Sequence, residues 1–219
     1  MPRPSAPPRN HLAAMIAGLL LFVALAASIQ PGSPLDQLDS ALTASVRELA
    51  SERLLQFAHL ATRAGDTLTI TLLGIAIAAA LAVRRRWTAA GIWALTLAGG
   101  ALVHRGLKEV FTRVRPPHDH GLIVESGWSF PSNHASMSMI AYGMLAWLLL
   151  HYLRGRGRLP ILLATALLVL AIGASRVLLQ VHFVTDVLAG YASGGAWLAA
   201  GIACMRAAMQ KHRDSADGT

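Results

Sequence analysis

The chain has 219 residues, of which 54% are hydrophobic and only 14% charged, with a formal net charge of +8. That balance marks an integral membrane protein and leaves no room for a separate soluble domain. The single cysteine, Cys204, excludes an internal disulfide. The positive charge reads as a topology signal plus a site rather than as nucleic-acid binding.

In chain order, a short tail over 1–11 precedes an apolar run over 12–29. This run reads as a retained anchor, with a cleavable signal peptide as the alternative because Ala24-Leu25-Ala26 resembles a cleavage site. The segment 30–66 follows, where Leu35, Leu38, Leu42, Val46 and Leu49 recur at steps of three and four. That spacing predicts an amphipathic helix, lying on the membrane surface or packed on the bundle. Further apolar runs cover 67–83, 88–107, 134–153, 159–179 and 187–205, each close to the ~20 residues that cross a bilayer as a helix. The expected architecture is all-α: a polytopic bundle of six transmembrane helices in one domain over 12–206, an interfacial helix in the first outer loop, and a tail over 207–219. Gly190, Gly194 and Gly195, with Ala196 and Ala200, predict close helix packing by the last span.

Basic residues collect at Arg3 and Arg9, at Arg84-Arg85-Arg86, at Arg154, Arg156 and Arg158, and at Arg206, Lys211 and Arg213. These segments are expected to face the cytoplasm, with both termini inside. From these arginine-rich ends, Lys108, His134, Arg176 and Asp186 each lie about 18 to 21 residues along their helices. At about 1.5 Å per residue that is about 27 to 32 Å, one hydrocarbon thickness, so all four reach the same outer interface. Ionisable groups are costly at such positions unless they have a function. One composite site accounts for them better than several unrelated ones.

Spacing suggests what each group does there. His182 and Asp186 are four apart, so on a helix the carboxylate accepts the Nδ1 proton and leaves Nε2 free as a nucleophile or base. An interfacial histidine beside a helix-capping aspartate is the plainer alternative. Lys108 and Arg115 are seven apart, two turns if helical, with Pro116 expected to end the element just beyond them. Together with Arg176 they can place three cations around one anion, and arginine's planar fork suits phosphate oxygens. Snorkelling at the membrane interface is the alternative for any one of them. Pro131-Ser132-Asn133-His134 precedes the fourth span, making Ser132 or Asn133 an N-cap and leaving first-turn amides free to bind phosphate. His134 emerges there, placed to donate a proton to a leaving oxygen.

These residues resemble the type 2 phosphatidic acid phosphatases, a family that includes lipid phosphatases and is related to the vanadium haloperoxidases. The first family motif, Lys, six residues, then Arg-Pro, is similar to Lys108 to Arg115-Pro116. The second, Pro-Ser-Gly-His, is similar to 131–134, with Asn133 in place of glycine. The third, Ser-Arg, five residues, His, three residues, Asp, is similar to Ser175-Arg176, His182 and Asp186. The resemblance implies that His182 attacks phosphorus to give a phosphohistidine, that Asp186 orients it and that His134 protonates the leaving group. It implies that Lys108, Arg115, Ser132, Asn133 and Arg176 hold the phosphoryl oxygens, with no metal or other cofactor. If the Asn133 position needs a left-handed backbone, asparagine is among the least costly replacements for glycine.

The resemblance makes the expected function hydrolysis of a lipid phosphate or diphosphate in the cell inner membrane, with the site facing outward. Candidate substrates are undecaprenyl diphosphate first, then phosphatidate and phosphatidylglycerol phosphate. A phosphotransferase would share the same intermediate. A His/Asp transporter would need ionisable residues near mid-membrane, and the spans are nearly free of them. His118-Asp119-His120 looks like a metal cluster but reads as a solvated loop, and His104 and Arg105 read as snorkelling or locally paired. Trp128 and Phe130 read as interface anchors.

Overall fold

The computed structural model describes the backbone of residues 9–117, 123, 125–152 and 157–217, and side chains between residues 11 and 211 of that set. Among the described residues there are eight helices and no strand: α1 (Arg9–Ser28), α2 (Pro34–Leu49), α3 (Glu52–Arg63), α4 (Thr67–Val83), α5 (Trp87–Phe111), α6 (Asn133–Tyr152), α7 (Arg158–Leu178) and α8 (Val184–Asp217). Five stretches among the described residues are long and apolar enough to cross a membrane, namely His11–Ser28, Glu52–Val83, Asn133–Tyr152, Arg158–Leu178 and Val184–Lys211. The 25-residue α5 is long enough but less apolar, carrying His104, Arg105, Lys108 and Glu109 toward its end. Exposed leucines line the outside, among them Leu20, Leu72, Leu95, Leu102 and Leu167. On an integral membrane protein this is the surface that lipid covers.

The segment 30–66 holds two helices where the leucine spacing predicted one. Ser33 accepts from the Asp36 amide at 3.2 Å and Pro34 opens α2, while Ser51 accepts from the Leu54 amide at 3.3 Å and restarts the chain as α3. The leucine stripe of α2 is split, with Leu35 and Val46 packed against the bundle and Leu38, Leu42 and Leu49 exposed, and the two residues it buries fully are polar, Asp39 and Thr43. α8 runs on through residues 207–217, since Ala207, Ala208, Met209, Gln210 and Lys211 are helix formers without glycine or proline.

Close contacts lock the bundle. α1 packs along α8, and a Cβ on Gly18 would sit 2.7 Å from the Ala192 carbonyl oxygen. Phe22, Phe111 and Phe130 form an aromatic cluster with centroids 5.0 to 5.8 Å apart, tying α1 and the end of α5 to the residue before Pro131. Buried indoles bridge helices by donating to carbonyls: Trp93 to Gly74 at 2.9 Å and Trp197 to Thr96 at 2.8 Å. His104 is buried and pairs with Ser193 of α8 at 3.3 Å, so it braces the interior and does not snorkel. The start of α6 packs so closely on α8 that Cβ atoms on Gly190 and Gly194 would meet the Ser132 and Ser136 carbonyl oxygens at 2.6 and 2.8 Å. Gly195 meets nothing within 4 Å, so of the three neighbouring glycines only two carry the packing.

Arg84, Arg85 and Arg86 lie at the junction of α4 and α5, where Arg86 donates to the Tyr152 hydroxyl at 2.7 Å at the end of α6. The ends carrying Lys108, His134, Arg176 and Asp186 are the opposite ends of the same helices. Arg3, Arg154 and Arg156 lie outside the described residues, as do the side chains of Arg9 and Arg213.

Replacing Gly194 by valine should push α6 and α8 apart and cost about 1 to 3 kcal/mol, seen as a lower melting temperature in detergent. Gly195→Ala should leave that temperature unchanged.

Candidate active site

His182 lies in the short connection between α7 and α8. Gln180 adopts a left-handed conformation (φ 57°), and the amides of Val181 and His182 both return to the Arg176 carbonyl, at 3.1 and 3.2 Å. The connection is pinned to the last turn of α7. Asp186 follows in the first turn of α8 and accepts the Phe183 amide at 2.9 Å, capping its own helix. The shared helix face read from the four-residue spacing is therefore a turn plus a first helical turn. It still brings His182 Nδ1 within 3.4 Å of Asp186 Oδ2. The same carboxylate accepts from Ser129 Oγ and, at 2.8 Å, from Arg113 Nη1. An acceptor-only group beside Nδ1 fixes the proton there and leaves the Nε2 lone pair outward.

Nε2 faces Arg115 Nη1 at 3.2 Å. Burial holds His182 far below the ordinary imidazole range, at about 3, against the pull of Asp186 and with help from Arg176 and Arg115. Burial thus favours the neutral ring, with its Nε2 lone pair free.

The cations come from two directions. α5 ends at Phe111, well before Pro116, because Thr112 turns left-handed (φ 41°) and its amide closes on the Lys108 carbonyl at 3.1 Å. Lys108 and Arg115 are thus not two turns of one helix. Lys108 sits in the last turn and donates to the Trp128 carbonyl, whereas Arg115 is extended beyond it. Arg115 is fixed by the Val181 and Gly127 carbonyls at 2.7 and 3.0 Å. Arg176, 1% exposed, donates to Thr62 Oγ1 at 2.6 Å and to Glu125 Oε1, while its Nε has no partner. Glu125 also lies 3.9 Å from Arg115, so one carboxylate rests between the two guanidinium groups. Burial opposes the charge on Glu125, and the Arg176 charge and hydrogen bond more than offset it, keeping the carboxylate ionised. Lys108 lies within electrostatic range of Arg115, Asp186, Glu125 and Arg176.

The third side is the start of α6. The Ser132 amide donates to the Asp186 carbonyl at 2.9 Å, tying the α6 start to α8, and Ser132 Oγ is buried without a partner. First-turn amides of a helix lack internal acceptors and bind anions. Asn133 is not among the residues with positive φ; it opens α6 with ordinary helical geometry, so asparagine in place of glycine imposes no strain. His134, 9% exposed, places Nε2 3.0 Å from Asp66 Oδ1 and lies within electrostatic range of Arg176 and Glu125. The structure thus brings His182, Asp186, His134, Lys108, Arg115, Ser132, Asn133 and Arg176 to one end of the bundle. His118, Asp119 and His120 lie outside the described residues.

Several members of this assembly escaped the sequence reading. Arg113 joins Asp186 to Asp36 (2.9 Å) and Asp39 (3.1 Å), and those carboxylates outweigh the effect of burial to hold its guanidinium above its ordinary range. Its signal was available as a third arginine-lysine cation within eight residues. Asp36 and Asp39 are three apart, on the polar face of α2. Ser129, Glu125, Thr62 and Asp66 carried no spacing signal, and only folding reveals them.

Residues 89–210, more than half of the chain, match the PAP2 superfamily model. The chain belongs to the PAP2 superfamily. Over 95 residues it is 37% identical to phosphatidylglycerophosphatase B of Bacillus subtilis, a match spanning 42% of this chain and 46% of that relative, so under half of the relative's length is matched. The crystal structure of a transmembrane PAP2-type phosphatidylglycerolphosphate phosphatase from Bacillus subtilis superposes with a TM-score of 0.80 at 27% identity, covering 86% of this chain and 94% of that one. Aquifex aeolicus LpxE superposes at 0.56 and 22% identity over 76% and 93%, a likeness of fold. The PAP2 match begins after α4, so Asp36, Asp39, Thr62 and Asp66 lie outside it.

Removing Arg113 should strand two buried carboxylates. Arg113→Met is expected to destabilise this PAP2 protein by about 3 to 5 kcal/mol, measured by thermal unfolding in detergent. Nitrogen-15 spectra of labelled histidines should show one ring, lost in His182→Ala, that stays unprotonated from about pH 8 down to about pH 5. A His182 ring titrating near its ordinary value would contradict the burial described.

Proposed function

We propose that this PAP2 protein is an inner-membrane lipid phosphatase that hydrolyses a phosphate monoester or diphosphate at the outer face of the bilayer through a phosphohistidine. The observation that carries it is the His182 ring, with Nδ1 against Asp186 and Nε2 facing Arg115, whose guanidinium shares Glu125 with Arg176. In the attack, the Nε2 lone pair forms the P–N bond as the P–O bond to the lipid breaks, and His134 gives its proton to the leaving oxygen. Water then loses a proton to His134 and attacks phosphorus, and the P–N bond breaks to return His182. Lys108, Arg115, Arg176, Ser132 Oγ and the first amides of α6, including that of Asn133, hold the phosphoryl oxygens as charge develops. No step requires a metal or other cofactor.

A cleft of about 350 Å³ supports a lipid substrate. It runs between α4 and α5 beside α6, from Gly65 and Asn133 at the site end down past Gly74 and Ala78, with an almost wholly apolar lining. One hydrocarbon tail fits there with its headgroup at the histidines. The placement favours six crossings by α1 and α4–α8 and both termini in the cytoplasm. The exposed leucines of α2 then rest in the interface. α1 is a retained anchor in this arrangement, as its packing on α8 supports. The names of the similar proteins move phosphatidylglycerol phosphate ahead of undecaprenyl diphosphate and phosphatidate. A phosphotransferase would differ only in the acceptor that resolves the phosphohistidine.

Purified protein in detergent with chelator should release phosphate from lipid phosphates, vanadate should inhibit, and His182→Ala should lower turnover by at least about 1,000-fold. Turnover that survives His182→Ala, or that depends on added divalent metal, would reject the mechanism. Appearance of a phosphorylated alcohol instead of free phosphate would assign the transferase.

A further inference from the structure

The turn between α3 and α4 supplies more to the site than any motif records. Thr62 accepts from Arg176, Gly65 presses against His134 and Asp66 pairs with the same histidine. A Cβ on Gly65 would lie 3.0 Å from His134 Cδ2 and 2.6 Å from Ile172 Cγ2, so only glycine lets the imidazole lie against this backbone. The Tyr142 hydroxyl donates to the Ala64 carbonyl at 2.7 Å, fixing the turn to α6, the helix that carries His134.

Asp66 stands at the N-cap of α4, where aspartate ordinarily accepts an amide of its own first turn. It makes no such bond. Its Oδ1 lies instead 3.0 Å from His134 Nε2, so the carboxylate forgoes the local cap for the histidine. An ionised carboxylate only accepts, which puts a proton on Nε2 and leaves Nδ1 as the nitrogen that can hand a proton to substrate.

We propose that Asp66 is a positioning residue for His134, holding its ring through Nε2 so that Nδ1–H faces the leaving oxygen and balancing the imidazolium while the proton waits there. The proposal rests on the phosphatase reading above and adds a second carboxylate–histidine pair to it. Asp186 orients the nucleophile, and Asp66 orients the acid. The proton leaves Nδ1 as the P–O bond breaks, and the same nitrogen recovers one from water before the P–N bond is cleaved. Throughout, Nε2–H remains on Asp66.

A group that serves proton donation matters in proportion to how poorly the leaving group departs. The test measures kcat/KM of the full-length protein in detergent on two substrates: phosphatidate, which leaves as an alkoxide unless protonated, and 4-nitrophenyl phosphate, which leaves as a stable phenolate. Asp66→Asn should lower kcat/KM on phosphatidate by at least about 30-fold, within the range of general-acid contributions, and on the aryl ester by less than about 3-fold. Asp66→Glu should recover at least about tenfold over Asp66→Asn on phosphatidate. Vanadate protection against thermal unfolding should persist in both variants, reporting an intact anion site. Equal losses on the two substrates, no loss on phosphatidate, equal rates for the two variants, or loss of vanadate protection would overturn the proposal. Wild-type protein that releases phosphate from neither substrate, nor from phosphatidylglycerol phosphate or undecaprenyl diphosphate, would bring down the phosphatase reading itself, a result distinct from all of these.

Discussion

The carboxylate of Asp186 is fully buried, and everything at this end of the bundle is arranged to keep it ionised. It accepts from Arg113, from Ser129, from the Phe183 amide and from the His182 ring, which uses nearly all its acceptor capacity. A buried charge left unpaired costs several kcal/mol, so each partner is held in place by the penalty of its leaving. Through Arg113 the constraint reaches Asp36 and Asp39 on α2, and through Ser132, whose amide is held by the Asp186 backbone, it reaches the start of α6. Orientation of His182 and assembly of the bundle are therefore one energetic event.

Three families of interaction divide the remaining work. Glycine-mediated approach of α6 to α8 sets the distance between the helix that carries His134 and the one that carries Asp186. Left-handed residues at Thr112 and Gln180 stop α5 and close the α7 end, which lets extended chain deliver Arg115 and His182 to a common point. Carbonyl acceptors at Val181, Gly127 and Trp128 then take up donors of Arg115 and Lys108. Arg176 is satisfied by Thr62 and Glu125, with one nitrogen unpartnered, so its buried guanidinium is held in place by the protein itself.

Much of this was legible in the chain because membrane helices obey a length rule. Polar residues placed one hydrocarbon thickness from an arginine cluster must surface together, and Lys108, His134, Arg176 and Asp186 do share one end of the bundle. Local geometry was less legible. The spacing of Lys108 and Arg115 invited a helix, and nothing in Phe-Thr-Arg announces the left-handed Thr112 that breaks it. The leucines of α2 marked an amphipathic helix but not its continuation as α3, because the signal at Ser51 is only a capping serine among polar neighbours. Glu125, Ser129 and Asp66 were invisible, since each acquires its partner across more than fifty residues of chain, a relation that periodicity does not encode.

The family-matched stretch starts at residue 89, yet the polar face of α2 and the junction of α3 with α4 supply Asp36, Asp39, Thr62 and Asp66 to groups that lie within it. The chemistry of this chain is consequently not portable as a module. A chimera that grafts only the family-matched portion onto foreign leading helices would inherit both imidazoles without the acids and hydroxyl that steady their neighbours.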